Sequence, residues 1–171
     1  MSCTADRRKM PVTYSGPEVM EMAVETERDG RKFYEAVAAE TKDPKLKDLF
    51  RFLAEEEGRH VTEFQAIART VRERPQDLAY NWQEAAEYLD AIVESKYFLG
   101  SGKSLSLARE SRNSGEALDH ALGFEKETML FYTEILQMVS EQVKPAVGRL
   151  IAEEKAHIVK LTALRRILKR E

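Results

Sequence analysis

The 171-residue sequence has one cysteine, Cys3, and five prolines. It contains no apolar run of the roughly 18–20 residues that would cross a bilayer. A single thiol excludes an intramolecular disulfide and every metal knuckle built from paired cysteines. Cys3 falls in residues 1–16, expected as a flexible tail in which the thiol is idle. An excess of charge of one sign is missing too. The 27 Lys and Arg against 30 Asp and Glu leave a net charge of −3, which is no footprint for nucleic acid. The basic end "ALRRILKRE" is read instead as cations complementing a helix C-terminus. The start "MSCTADRRKMPVTYSG" carries charges but no apolar segment of a secretory signal. The expectation is a cytoplasmic chain with neither a membrane nor a nucleic-acid partner.

What is present is helical. Pro and Gly fall between long stretches of helical period, and strand-like alternation is lacking, so the fold class is all-α. The first helix should run from "SGPEV" to about Thr41. The second follows "KDP", with Asp43 as cap and Pro44 at the first helical position, and ends before Pro75. So short a link makes the two antiparallel. Residues 75–113 form a long crossover with one short helix around 83–98 and a Gly/Ser-rich loop. A third helix should run from Asn113 or Ser114 to about Gln142, and a fourth from Pro145 to the C-terminus. Residues 17–171 are thus expected to be one four-helix-bundle domain. "GSGKS" at 100–104 does not qualify as a phosphate loop, because such a loop needs a glycine five positions before Gly102 and Tyr97 stands there. It is read as a connector.

The chain repeats itself. "AVETERDGRKFY" (23–34) aligns without gaps on "ALGFEKETMLFY" (121–132), and "LAEEEGRH" (53–60) aligns on "LIAEEKAH" (150–157). Each half therefore has a helix with a glutamate seven residues before a tyrosine, then a helix with Glu-x-x-His. Helical period sets where these residues point. The second helix carries the stripe Leu46, Phe50, Leu53, Glu57, His60, Phe64, Ile67, Val71, in which only the motif residues are polar. The fourth repeats it with Val147, Leu150, Glu154, His157, Leu161, Leu164, Leu168. The third gives Leu118, Ala121, Glu125, Thr128, Tyr132, Ile135, Val139, and the first gives Val19, Ala23, Glu27, Gly30, Tyr34, Val37. Four glutamates and two histidines face inward together.

Four carboxylates in one core would repel and lose hydration at a cost of several kcal/mol per ion, unless they are protonated or meet cations. No Lys or Arg sits on the stripes. Two divalent metals would balance the four charges, and two neutral imidazoles would complete the ligand set. One Glu from each of two helices with Glu-x-x-His from each of the other two is the arrangement of di-iron and di-manganese carboxylate bundles.

These residues resemble the ferritin-like superfamily, and most of all the di-iron domain of rubrerythrins, over about residues 17–168. The resemblance implies a ferritin-like bundle in which Glu27, Glu57, Glu125 and Glu154 hold two iron ions, some of them bridging, with His60 and His157 as terminal nitrogen ligands. Oxygen and nitrogen donors also admit manganese or zinc. Tyr34 and Tyr132 match tyrosines beside the cluster in that family, from where they can donate hydrogen bonds to ligand carboxylates. The activity implied is reduction of hydrogen peroxide by an external electron donor such as rubredoxin, in a homodimer that could exchange helices through residues 75–113. The alternatives are a ferroxidase or oxidase using dioxygen, and a non-enzymatic iron-binding or storage protein. Two departures bear on the choice. Many rubrerythrins have a further glutamate where this chain has Thr128, so a seventh ligand is lacking. One cysteine cannot build the four-cysteine iron site that rubrerythrins often append. His120, about 140° around the helix from Glu125, is expected at the surface or an interface.

Overall fold

Each long helix starts where its sequence provides a cap. In the computed structural model, which describes residues 15–74, 82–95, 97–98, 103–111 and 113–169, α1 spans Gly16–Glu40 behind Ser15. Ser15 and Glu18 close a reciprocal capping box, and Pro17 occupies the first turn, where its missing N–H costs nothing. α2, Pro44–Glu73, begins at Asp43, whose Oδ1 accepts from the amides of Lys45 at 2.8 Å and Leu46 at 3.3 Å. Thr41 to Asp43 alone separate the two helices, so they fold back on one another. In the second half, α5 spans Ser114–Met138, capped by Asn113, and α6 spans Lys144–Leu168. α1 packs along α2 and α5 along α6, and contacts of α1 with α5 and of α2 with α6 close a ferritin-like four-helix bundle.

Between the two hairpins lie α3, Trp82–Glu94, and α4, Ser104–Glu110. α3 corresponds to the expected short helix. α4 falls where only a loop was expected. "SLSLARE" forms about two helical turns because Leu107 is driven into the core beside α1. Lys103, the lysine of "GSGKS", donates from Nζ to the carbonyls of Val93 at 3.3 Å and Ser95 at 2.8 Å, completing the C-terminus of α3 rather than awaiting a phosphate. Its neighbours 99–102, and the tail 1–14 with Cys3, lie outside the described residues. α5 also ends four residues before the expected Gln142. Val139 turns extended there, which lets Val139 and Val143 both enter the core. His120 is half-buried, and its Nδ1 lies 3.0 Å from Ser111 Oγ and 3.2 Å from the Leu107 carbonyl, tying the crossover to α5. No described helix is long and apolar enough to cross a membrane.

The apolar interior comes in two parts. One, around Val19, Met20, Phe64, Phe131, Ile135 and Leu150, is sealed by Leu89, Ile92 and Phe98 from the crossover. The other, around Phe33, Phe50, Leu53, Leu118, Phe124 and Leu161, is sealed by Leu107. The polar stripe residues lie between them. The inward stripe of α2 is buried over its whole length, whereas that of α6 is only partly covered at Leu164 and Leu168.

Gly30 faces this interior at close quarters. A Cβ there would stand 2.5 Å from Phe124 Cζ and 2.8 Å from Cε1, with the Glu57 carboxyl carbon at 3.5 Å. Helix propensity favours Gly→Ala by up to about 1 kcal/mol, but overpacking a core costs about 1–3 kcal/mol. Gly30→Ala should therefore destabilise the protein. Gly148→Ala, whose added methyl meets nothing within 4 Å, should be neutral or mildly stabilising. Denaturant unfolding of both variants checks this, and equal stability of the two would contradict the packing argument.

Candidate metal centre

Helical period carries Glu27 of α1, Glu57 and His60 of α2, Glu125 of α5, and Glu154 and His157 of α6 into one layer, each at most 1% exposed. Their atoms form two overlapping quartets. Glu27, Glu57, His60 and Glu154 offer one set of donors within 4.8 Å of one another, and Glu57, Glu125, Glu154 and His157 offer the other. His60 Nδ1 lies 3.0 Å from Glu154 Oε1, 3.5 Å from Glu27 Oε2 and 3.6 Å from Glu57 Oε2. His157 Nδ1 lies 3.1 Å from Glu154 Oε2, 3.6 Å from Glu125 Oε1 and 4.0 Å from Glu57 Oε1. Glu57 and Glu154 thus turn one oxygen toward each imidazole, whereas Glu27 and Glu125 each serve one side. The rings stack with centroids 5.6 Å apart.

The layer has acceptors to spare and too few hydrogen-bond donors to meet them. Glu27 Oε2, both oxygens of Glu57, Glu125 Oε2, Glu154 Oε1 and His60 Nδ1 are buried with no hydrogen-bond partner among the described residues. Orphaned atoms of this kind are costly unless something else meets them. A cation is the fitting occupant, since hard carboxylate oxygens and imidazole nitrogens are the donor set of iron, manganese and zinc. Either quartet could hold one such ion.

The tyrosines cross between the halves. Tyr34 of α1 donates its hydroxyl to Glu125 Oε1 on α5, and Tyr132 of α5 donates to Glu27 Oε1 on α1. Neither bonds the glutamate on its own helix. Burial first, and then the neighbouring carboxylates, push both phenols well above their ordinary range, so both remain protonated donors.

Three residues outside the predicted set also act on the layer. Glu153 Oε2 lies 2.9 Å from His60 Nε2, Glu56 Oε2 lies 3.9 Å from His157 Nε2, and Arg59 binds Glu56. The signal for the two carboxylates was in the repeat: "EEEGRH" and "EEKAH" both set a glutamate directly before the inward one.

A family model described as Rubrerythrin matches residues 18–165. This chain belongs to the rubrerythrin family. A crystal structure from Thermotoga maritima, described as that of a ferritin-like diiron-carboxylate protein, superposes with a TM-score of 0.66 at 22% identity, covering 90% of this chain and 96% of that one. At that identity the likeness is one of fold. No curated protein matches the sequence. Within the rubrerythrin frame Thr128 stands out, because its Oγ1 is buried with no hydrogen-bond partner among the described residues.

Without metal, protons balance the layer. Burial foremost, then repulsion from Glu27 and Glu154, raises Glu57 well above the usual carboxylate range, and burial with repulsion from Glu154 raises Glu125. Burial favours neutral imidazole, but the neighbouring Glu125 and Glu154 carboxylates outweigh it and push His157 up to about 10. His60 is raised by Glu154, Glu27 and Glu57 in the same contest. For Glu154, burial is overcome by its close neighbours Glu125, His157 and His60, which hold it below the usual range. Groups raised on folding bind protons more tightly in the native state, so their contribution is present at low pH and lost as pH climbs. For His157 it is complete below 6.5 and gone above about 10. Glu57, Glu125 and His60 act in the same direction, and Glu154 opposes them only in acid. Metal-free protein should therefore lose melting temperature between pH 6.5 and 10, and metal-loaded protein should lose less, because ions replace the protons. Melting curves of both forms across that window provide the check. A metal-free melting temperature that rises with pH would contradict this charge assignment.

Proposed function

We propose that this chain is a cytoplasmic diiron oxidoreductase of the rubrerythrin family that reduces hydrogen peroxide to water, drawing electrons from an external donor of the rubredoxin type and working as a homodimer. The observation that carries the reading is the pair of buried quartets sharing Glu57 and Glu154. Glu27, Glu57, His60 and Glu154 would hold one iron, and Glu57, Glu125, Glu154 and His157 the other. When bound, the two ferrous ions supply two electrons together, which takes peroxide and two protons to two waters without releasing a one-electron radical. The chain's own residues do the rest. Glu57 and Glu154 keep the two positions close, because each presents one oxygen to either side. Tyr34 and Tyr132 orient the terminal carboxylates of Glu125 and Glu27 and keep a proton at each phenol oxygen. The two flanking apolar clusters exclude bulk water from the layer. With one cysteine, these 171 residues cannot build a four-cysteine iron site, which supports a donor outside the bundle.

Thr128 favours a second reading. With threonine where many rubrerythrins have a further glutamate, six ligands remain, and dioxygen-driven iron oxidation becomes the competing activity. Iron-replete protein should carry about two metals per chain. Glu57→Ala or Glu154→Ala should lower that content, whereas Glu55→Ala, on an exposed face, should not. Reduced protein should react with stoichiometric peroxide much faster than with equal oxygen, and should turn over with a rubredoxin-type donor. Oxygen reacting faster, with added ferrous iron oxidised catalytically, would favour the ferroxidase. Retained metal with no reaction toward either would favour storage or simple metal binding.

A further inference from the structure

The outer edges of the two imidazoles are held unequally. His60 Nε2 has the Glu153 carboxylate at 2.9 Å, so its ring is pinned between that oxygen and the centre of the layer. His157 Nε2 is buried and has no hydrogen-bond partner among the described residues. Its counterpart carboxylate, Glu56, stops 3.9 Å short. The cause is Arg59. Its guanidinium grips Glu56 as a fork, with Nε 3.2 Å from Oε1 and Nη2 on Oε2, and its reach to Glu153 is a looser 3.5 Å. A planar fork of this kind matches both oxygens of a carboxylate and fixes its orientation. At the equivalent place in the second half stands Ala156, which has no such grip. Among the differences between the two motifs, Arg59 against Ala156 is therefore the one that decides which histidine has an outer partner.

An imidazole whose far nitrogen donates to a carboxylate is fixed in tautomer and orientation and is the more basic ligand. Losing that partner typically costs about ten- to a hundredfold in metal affinity. We propose that the two metal positions are unequal by construction. The Glu27–Glu57–His60–Glu154 position takes the first ion, and the Glu57–Glu125–Glu154–His157 position takes the second more weakly, because Arg59 withholds Glu56 from His157. This inference rests on the dinuclear reading above. Arg59, Glu56 and Glu153 are positioning residues that act through the two histidines. The Arg59 and Glu153 side chains are 51% and 37% exposed, so replacing them leaves the apolar clusters intact.

Mn(II) alone, titrated into the metal-free full chain with the free ion counted by electron paramagnetic resonance, tests the assignment. Wild type should bind in two steps separated by about ten- to a hundredfold. Glu153→Gln should weaken the tighter step by a similar factor. Arg59→Ala should tighten only the weaker step and draw the two together, and adding Glu56→Gln to it should restore the wild-type separation. A mere loss of positive charge would tighten both steps whether or not Glu56 is present, so that pattern overturns the proposal. It is overturned equally by two indistinguishable steps in wild type, or by a separation that survives Arg59→Ala. Circular dichroism melts verify that each variant is folded. Wild type that binds no Mn(II) would instead bring down the dinuclear reading itself.

Discussion

Four carboxylates buried in one layer require four compensating positive charges, and the rest of the molecule is arranged around that requirement. An isolated buried ion costs several kcal/mol even after relaxation, and four neighbouring ones add mutual repulsion. Protons on Glu57, Glu125 and the histidines meet the requirement in the metal-free chain. Two divalent ions meet it more completely, because they also satisfy the carboxylate oxygens that protons leave without partners. The layer is bounded on both sides by apolar clusters, so water cannot share the load. The same enclosure that makes the charge expensive makes an ion that relieves it strongly bound.

The tyrosines show how the enclosure is tied together. Each phenol reaches from one hairpin to a glutamate on the other, so the two hydroxyls act as paired cross-links over the pseudo-twofold axis. Removing one hydroxyl would leave a buried carboxylate oxygen without its donor, a loss of about 1–3 kcal/mol. The symmetry is kept in the six inward ligands and the two tyrosines and given up in the packing beside them. Gly30 of α1 corresponds to Thr128 of α5, and Phe124 of α5 to Thr26 of α1, so the pair in which a ring covers a glycine across the two halves corresponds to a pair of threonines. Gly123 likewise makes room for Tyr97, since a Cβ there would stand 2.5 Å from that ring. The counterpart of Gly123 in the first half is Glu25, an exposed residue, so this one contact is not repeated there.

Much of this was legible in the chain. Glu57 and His60 interrupt an otherwise apolar stripe, and the same interruption recurs at Glu154 and His157, so period alone brought all six polar residues to one layer. What period could not tell was which oxygen faces which side. That Glu57 and Glu154 each serve both quartets depends on the approach of α2 to α6, which no single helix encodes. The crossed tyrosine bonds escaped for the same reason: spacing within a helix relates Tyr34 to Glu27, but the bundle brings it to Glu125. α4 was missed because seven residues rich in serine and flanked by glycine carry little helical signal, and only the burial of Leu107 stabilises them. The early end of α5 is equally tertiary, a matter of two valines finding the core.

Glu56 and Glu153 lie beyond the reach of a stripe argument for a further reason. They sit at the edge of the inward face, partly exposed, where a glutamate is ordinarily a solvated charge of little consequence. Their importance comes from the imidazole nitrogens that point outward at them, because a histidine that turns Nδ1 to the centre must place Nε2 near the next carboxylate along the neighbouring helix. The repeat supplies that carboxylate twice, and the residue two positions before His60 or one before it then decides whether it is available. Gly58 lies against the Arg31 side chain, where a Cβ would stand 3.4 Å from a guanidinium nitrogen, and Arg59 takes hold of Glu56. The repeat thus supplies two matching ligand sets, and Arg59 against Ala156 makes their outer partners unequal without touching any residue of the charged layer.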